Sequence, residues 1–150
     1  MGNSLVCQIC GSPKHQLAYC CKRCKRIIDR RGPRRKRGDT LGKPDKEARR
    51  KARLKALKNA WVGESFHCHY SGVRLVEDKE NSKDPRYLTF DHRTPRKESD
   101  VVVAAYVIND MKSDMTESEF KKMVIQLASR FKGGPFDERV FNLKHWKRKI

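Results

Sequence analysis

The sequence predicts an α+β protein stapled by metal, and three observations carry that prediction. Cys7, Cys10, Cys21 and Cys24 form two C-x2-C pairs. Residues 45–61 are a run of strong helix formers, and residues 87–112 read in the order strand, polar loop, strand, helix. A chain of 150 residues with 36% of them charged has room for one ordinary domain or two small modules and little apolar material for a large core.

Charge narrows the partner. The formal net charge is +18, from 36 Lys+Arg against 18 Asp+Glu, which excludes a neutral-surface enzyme and points to a polyanion. DNA is the expected partner, and charge alone does not separate it from RNA. The distribution is lopsided: residues 1–60 hold 19 Lys+Arg and 4 Asp+Glu, net +15, whereas residues 61–150 hold 17 and 14, net +3. The opening MGNSLVCQIC has neither a basic n-region nor an apolar h-region, so the chain reads as intracellular, cytoplasmic and not exported. It starts like a myristoylation signal but has Val6 where Ser or Thr is wanted. No apolar run approaches the roughly 20 residues of a membrane span. In a reducing compartment, paired cysteines serve mainly as metal ligands.

The first module, residues 1–31, is read as a small zinc ribbon. Ten residues separate the two cysteine pairs, a spacing that lets two knuckle turns face each other and offer four thiolates to one structural Zn²⁺. Gly11 suits the tight turn after Cys10, because glycine accepts positive φ. Cys20 adjoins Cys21 and could replace it through a C-x3-C pair; Cys20 is taken as the spare thiol and His15 as solvated. Residues 22–37 carry ten Lys or Arg with only Asp29 opposing them. Arg23, Arg26, Arg34, Arg35, Lys36 and Arg37 are thus candidate phosphate contacts, and the Gly32–Gly42 part is expected to order only on its ligand.

Residues 32–62 form a basic linker and helix. The helix is expected over about 45–61, entered after Pro44, with Ala48, Ala52, Leu57, Ala60 and Trp61 as its docking stripe. Arg49, Arg50 and Arg53 would lie on cationic faces toward phosphates. A linker helix without any role in reading bases fits the same residues.

In the third module, residues 63–150, YLTFD and VVVAA read as a hairpin around the loop HRTPRKESD, and YVINDMKSD follows as a short helix. Asp91 and His92 end the first strand; Asn109 and Lys112 share the helix. At these residues the chain resembles the HNH nuclease family, whose core is a ββα-metal (His-Me) finger. The resemblance covers residues 66 to about 120 and implies a divalent-metal-dependent DNA endonuclease, nicking or cutting both strands to leave 5′-phosphate and 3′-hydroxyl ends. Asp91 and Asn109 would hold one Mg²⁺ or Mn²⁺, His92 would be the general base, and Lys112 and Arg93 would add phosphate contacts. The family's middle Asn falls on Asp100, which can accept but not donate the loop-holding bonds. Relatives often wrap the finger around zinc; here Cys68 is kept, but Ser71, Ala105 and Ile108 stand at the other three places, so hydrophobic packing must replace that metal. The alternative is a non-catalytic zinc-containing DNA- or RNA-binding protein.

Adjacent strand residues face opposite ways, so Asp91 and His92 can converge only if the strand breaks or twists there, and Thr94–Pro95 is expected to end the pairing just past His92. His67 and His69 are read as structural or phosphate-facing. Thr116 and Glu119 form a capping box, and Phe120, Met123, Val124, Leu127 and Phe131 recur at helical spacing as a core face, ended by Gly133, Gly134 and Pro135. The tail FNLKHWKRKI mixes Trp146 with cations that could follow a nucleic-acid backbone, but packing of Phe141, Leu143 and Trp146 on the body is the favoured reading. A palindromic cutter would act as a two-fold homodimer, although no interface stripe declares itself.

Overall fold

The structure, a computed structural model, describes residues 5–15, 18–30 and 45–143. Its order is α1 (Lys22–Ile28), α2 (Lys46–Ala60), β1 (Trp61–Val62), β2 (Ser65–Phe66), β3 (Leu88–His92), β4 (Val101–Ala105), α3 (Tyr106–Lys112) and α4 (Glu117–Phe131), with short 3-10 turns at Lys79–Asn81 and Glu138–Phe141. Both sheets are two-stranded and antiparallel. Among the described residues no helix is long and apolar enough to cross a membrane.

The predicted hairpin and the helices after it are present at their expected places. β3 pairs with β4 from Leu88–Ala105 to His92–Val101, and α3 starts directly at the end of β4. The β-branched run in β4 suits a pleated, half-buried surface, and Val103, Ala104 and Ala105 are buried. α2 lies against β4, with Ala56 and Leu57 buried. Asp45 caps α2 by accepting from the Glu47 N–H at 2.9 Å. Of the expected stripe, Leu57 is buried, Ala60 and Trp61 pack on the core and Ala52 is half-buried; Ala48 is exposed, and Arg53 is drawn inward beside them. Its guanidinium donates to the Ile28 and Arg30 carbonyls, both at 2.7 Å, and stacks over Phe90, so the C-terminal end of α1 needs a donor that alanine lacks.

α4 has its capping box, with Thr116 and Glu119 bonded reciprocally, and Gly133 follows it at φ +81°. Its expected core face is mostly not core. Phe120 is buried, but Val124, Leu127 and Phe131 are 42%, 37% and 86% exposed. β4 is packed by α2, and α4 touches chiefly the Glu138–Phe141 turn, so among the described residues little surface receives its apolar face.

One buried cluster runs from Cys7, Ile9 and Cys24 through Ile27, Leu57 and Phe66 to Leu88, Val103 and Ala105. It crosses the boundaries expected at residues 31/32 and 62/63. Arginines reinforce the same junction: Arg23 pairs with Glu77 and stacks over Trp61, while Arg30 donates to the Glu77 and Leu88 carbonyls and stacks over Tyr87.

Candidate metal centre and candidate catalytic site

Four thiols converge at the N-terminal end of the core. The Sγ atoms of Cys7, Cys10, Cys21 and Cys24 all lie within 4.8 Å of one another. Cys10 Sγ is 3.5 Å from Cys21 Sγ and 3.6 Å from Cys24 Sγ. Zinc with Zn–S bonds of about 2.3 Å in a tetrahedron separates its sulfurs by about 3.8 Å, so the cluster has the dimensions of a four-thiolate site. Cys21 is in the quartet and Cys20 is not, which settles the choice between the neighbours.

The two pairs are built differently, and the ribbon of two facing knuckles is corrected on this point. Cys7 and Cys10 sit in a knuckle turn closed by Gly11 N–H to Cys7 O at 2.9 Å and Cys7 N–H to Ser12 O at 2.8 Å, with Gly11 at φ +69°. Cys21 is instead the N-cap of α1, its sulfur accepting from the Cys24 N–H. A helix N-terminus presents unpaired N–H groups and a positive dipole end, which suits sulfur that becomes negative on metal binding. Burial raises the Cys21 and Cys24 thiols, and burial followed by the charge of Cys7 pushes Cys20 to about 11. For Cys7 burial is the largest influence too, but it is outweighed by backbone N–H groups led by that of Cys21, and the thiol is lowered to about 7. Buried thiols that resist ionisation alone are what a divalent cation would convert to ligands.

The second group lies where α3 crosses β3. Asp91 is 4% exposed, and both carboxylate oxygens are held: Oδ2 accepts from the Tyr70 hydroxyl at 2.5 Å and Oδ1 from Lys112 Nζ at 3.2 Å. Lys112 is 0% exposed and also donates to the His92 carbonyl at 2.8 Å. It therefore faces Asp91 and not a phosphate, against the expected role. Asn109, one helical turn earlier, donates through Nδ2 to Thr89 Oγ1 at 3.2 Å and to Phe90 O at 3.5 Å, which turns its amide oxygen away from those partners.

β3 does not break at Asp91–His92. The register runs unbroken to His92–Val101 and stops there apart from one closing bond, Arg93 N–H to Asp100 O at 3.0 Å, so pairing ends just past His92 as expected. Asp91 and His92 consequently leave opposite faces of the strand. The contacts bring Asp91 to Lys112 and Tyr70, Asn109 to Thr89, and the His92 ring to Glu98, whose Oε2 is 3.5 Å from Nε2.

Asp100 works as a latch on the loop. It accepts from Arg93 Nε at 2.7 Å and Thr94 Oγ1 at 3.1 Å, so donors on the loop meet an acceptor where an amide would have met both. Burial acts to raise its carboxyl, but Arg93 and Thr94 outweigh it and hold the group below its ordinary value. His69 turns to Glu117 at 3.2 Å, and His67 to Gly72 O and Ser65 Oγ.

Among the arginines expected on nucleic acid, Arg53 is turned inward, while Arg23, Arg50 and Arg93 are half-exposed but paired with Glu77, Glu47 and Asp100. Arg26 is open, 3.7 Å from Asp78. Arg49 is half-buried, and Arg34, Arg35, Lys36, Arg37 and Trp146 lie outside the described residues. The outward cations of α1 and α2 are instead Lys22, Lys25, Lys46, Lys55 and Lys58. These lysines alternate with the arginines along the same helices, so burial and pairing separate the open cations from the engaged ones. Tyr70 and Glu98 were missed as well; neither carries a motif, since their roles come from long-range approach.

No family model matches the chain, and no match was found among curated proteins or among solved structures.

Proposed function

We propose that the protein is a metal-dependent HNH-type DNA endonuclease whose N-terminal four-thiolate cluster holds one structural Zn²⁺. The observation that carries the reading is the way α3 is laid along β3: Asn109 is bonded to Thr89 and Phe90, and Lys112 to Asp91 and His92, within a strand–loop–strand–helix order. Asp91 and Asn109 supply hard oxygen donors. A carboxylate has about four lone-pair positions, so Asp91 keeps acceptor capacity beyond its bonds to Tyr70 and Lys112. These two residues would hold a Mg²⁺ or Mn²⁺, which when bound supplies charge stabilisation at the reacting phosphodiester. His92, whose side chain is 27% exposed and can be reached from solvent, would take the proton from the attacking water. Asp91 and His92 leave opposite faces of the regular strand, so the end of β3 must first twist to bring the His92 ring to the Asp91 side. Arg26 with the lysines of α1 and α2 grips the backbone, giving affinity that falls steeply with salt.

The test is cleavage of supercoiled plasmid. Wild type with Mg²⁺ or Mn²⁺ should nick it, and His92→Ala should be slower by about 10²- to 10⁴-fold with DNA binding retained. Equal cleavage by both proteins removes His92 from the mechanism. A second reading has its own observation: both Asp91 oxygens already accept bonds from buried or half-buried donors, as a purely structural carboxylate would. Under that reading the protein is a zinc-containing nucleic-acid binder, and neither cation supports any cleavage by the wild type.

A further inference from the structure

His92 Nε2 is fully buried and has no hydrogen-bond partner in normal geometry, yet the rest of the ring side chain keeps 27% of its surface. A buried ring nitrogen without a partner is costly, and the nearest acidic group is Glu98, with Oε2 at 3.5 Å. A small rotation of either side chain closes that gap to hydrogen-bond length. The loop is shaped for the approach. Asp100 ties Arg93 to Thr94, the Lys97 and Asp100 N–H groups close turns onto Thr94 O and Lys97 O, and Arg96 takes φ +67°, a conformation that bends the chain back sharply. Glu98 is thereby returned toward the end of β3. Arg53 lies close enough for its charge to interact with that of Glu98.

We infer that Glu98 is the positioning residue of His92: it accepts the Nε2 proton, fixes the ring in the Nε2–H tautomer, and leaves Nδ1 as the nitrogen with a free lone pair. This rests on the nuclease reading for its purpose, because only a base needs that lone pair aimed and unprotonated. The arrangement is specific to this loop, since the latch residue Asp100 is already engaged with Arg93 and Thr94 and cannot serve the ring.

Two measurements on the full chain test it. In ¹⁵N spectra recorded well above the ordinary histidine pKa of about 6.5, His92 should show the Nε2–H tautomer in wild type and in Glu98→Gln, whose amide oxygen still accepts, and a mixture in Glu98→Ala. In plasmid nicking, Glu98→Ala should lower kcat by about ten- to a hundredfold with little change in KM, and Glu98→Gln should recover part of it. Identical ¹⁵N signatures in wild type and Glu98→Ala overturn the inference, as does unchanged kcat in Glu98→Ala. A wild type that never cleaves sinks the nuclease reading instead, while the tautomer comparison still decides whether Glu98 holds the ring.

Discussion

Lys112 shows at the scale of one residue how burial decides a role. A lysine three positions after Asn109 reads from the sequence as a cation for the substrate, but its ammonium is sealed in the interior against Asp91 and the His92 carbonyl. A buried ion pair gives little net stability, whereas removing one partner leaves an uncompensated charge at a cost of about 3–5 kcal/mol. Lys112→Met keeps much of the side chain's volume and should therefore lower stability by about that amount, read by urea denaturation. The same variant separates the two readings of Asp91. If this carboxylate is a cation ligand, millimolar Mg²⁺ or Mn²⁺ should restore part of the lost stability, because the ion takes over compensation of the charge. No recovery in either cation would leave Asp91 a structural partner of lysine. The identities Asp91, Asn109 and Lys112 were legible in the strand–loop–strand–helix pattern; their partners were not, because Tyr70 and Glu98 reach them through the fold and no local spacing announces it.

At the scale of elements, the chain builds the same device twice. Around Cys7, the ladder runs Gly11 N–H to Cys7 O, Cys7 N–H to Ser12 O and Lys14 N–H to Leu5 O; around Cys68 it runs Gly72 N–H to Cys68 O, Cys68 N–H to Val73 O and Leu75 N–H to Phe66 O. The offsets are identical, and Gly11 and Gly72 have φ of +69° and +70°. Each knuckle then meets a helix start: the Cys21 N–H lowers the Cys7 thiol, and the Ala105 N–H donates to Cys68 Sγ at 3.4 Å, where Ala105 holds the N-cap position of α3 that Cys21 holds in α1, without a side-chain cap. Ser71, Ala105 and Ile108 occupy the places of Cys10, Cys21 and Cys24. Ala105 is buried and Ile108 packs on the core, so apolar contact fills the second copy. Joint replacement Ser71→Cys, Ala105→Cys and Ile108→Cys should create a second four-thiolate site, raising bound zinc per chain by one in metal analysis; unchanged zinc content would show that the second turn is not a knuckle in its ligand geometry. The strands, helices and first knuckle were readable from glycine, cysteine and period. The burial of α4 was not, since an apolar stripe states that a helix can dock and says nothing of whether a partner surface is free.

For the molecule as a whole, the four-thiol cluster and the core form one continuous structure. The cluster from Cys7 to Ala105 is unbroken, and Arg23, Arg30 and Arg53 tie α1 to the 77–90 region through carboxylate, carbonyl and ring contacts. Among the described residues Arg23, Arg30 and Arg53 are thus engaged in internal bonding, while Lys22, Lys25, Lys46, Lys55 and Lys58 stay exposed. A structural zinc in small fingers is worth about 10–16 kcal/mol, which equals or exceeds the whole stability of a typical domain at about 5–15 kcal/mol. Here the four thiols share a core with β3 and β4, so withdrawal of the ion should loosen the hairpin that bears Asp91 and His92 and not merely residues 5–30. Amide hydrogen exchange reads this directly. Val103 and Ala104, buried on β4, should lose most of their protection when a chelator strips the protein or when Cys24 is replaced by Ser, whereas Cys20→Ser should leave zinc content unchanged because Cys20 lies outside the quartet. Retained protection at Val103 and Ala104 after complete loss of zinc would mean that the hairpin holds itself, and the shared core would then be a contact between two independently stable parts.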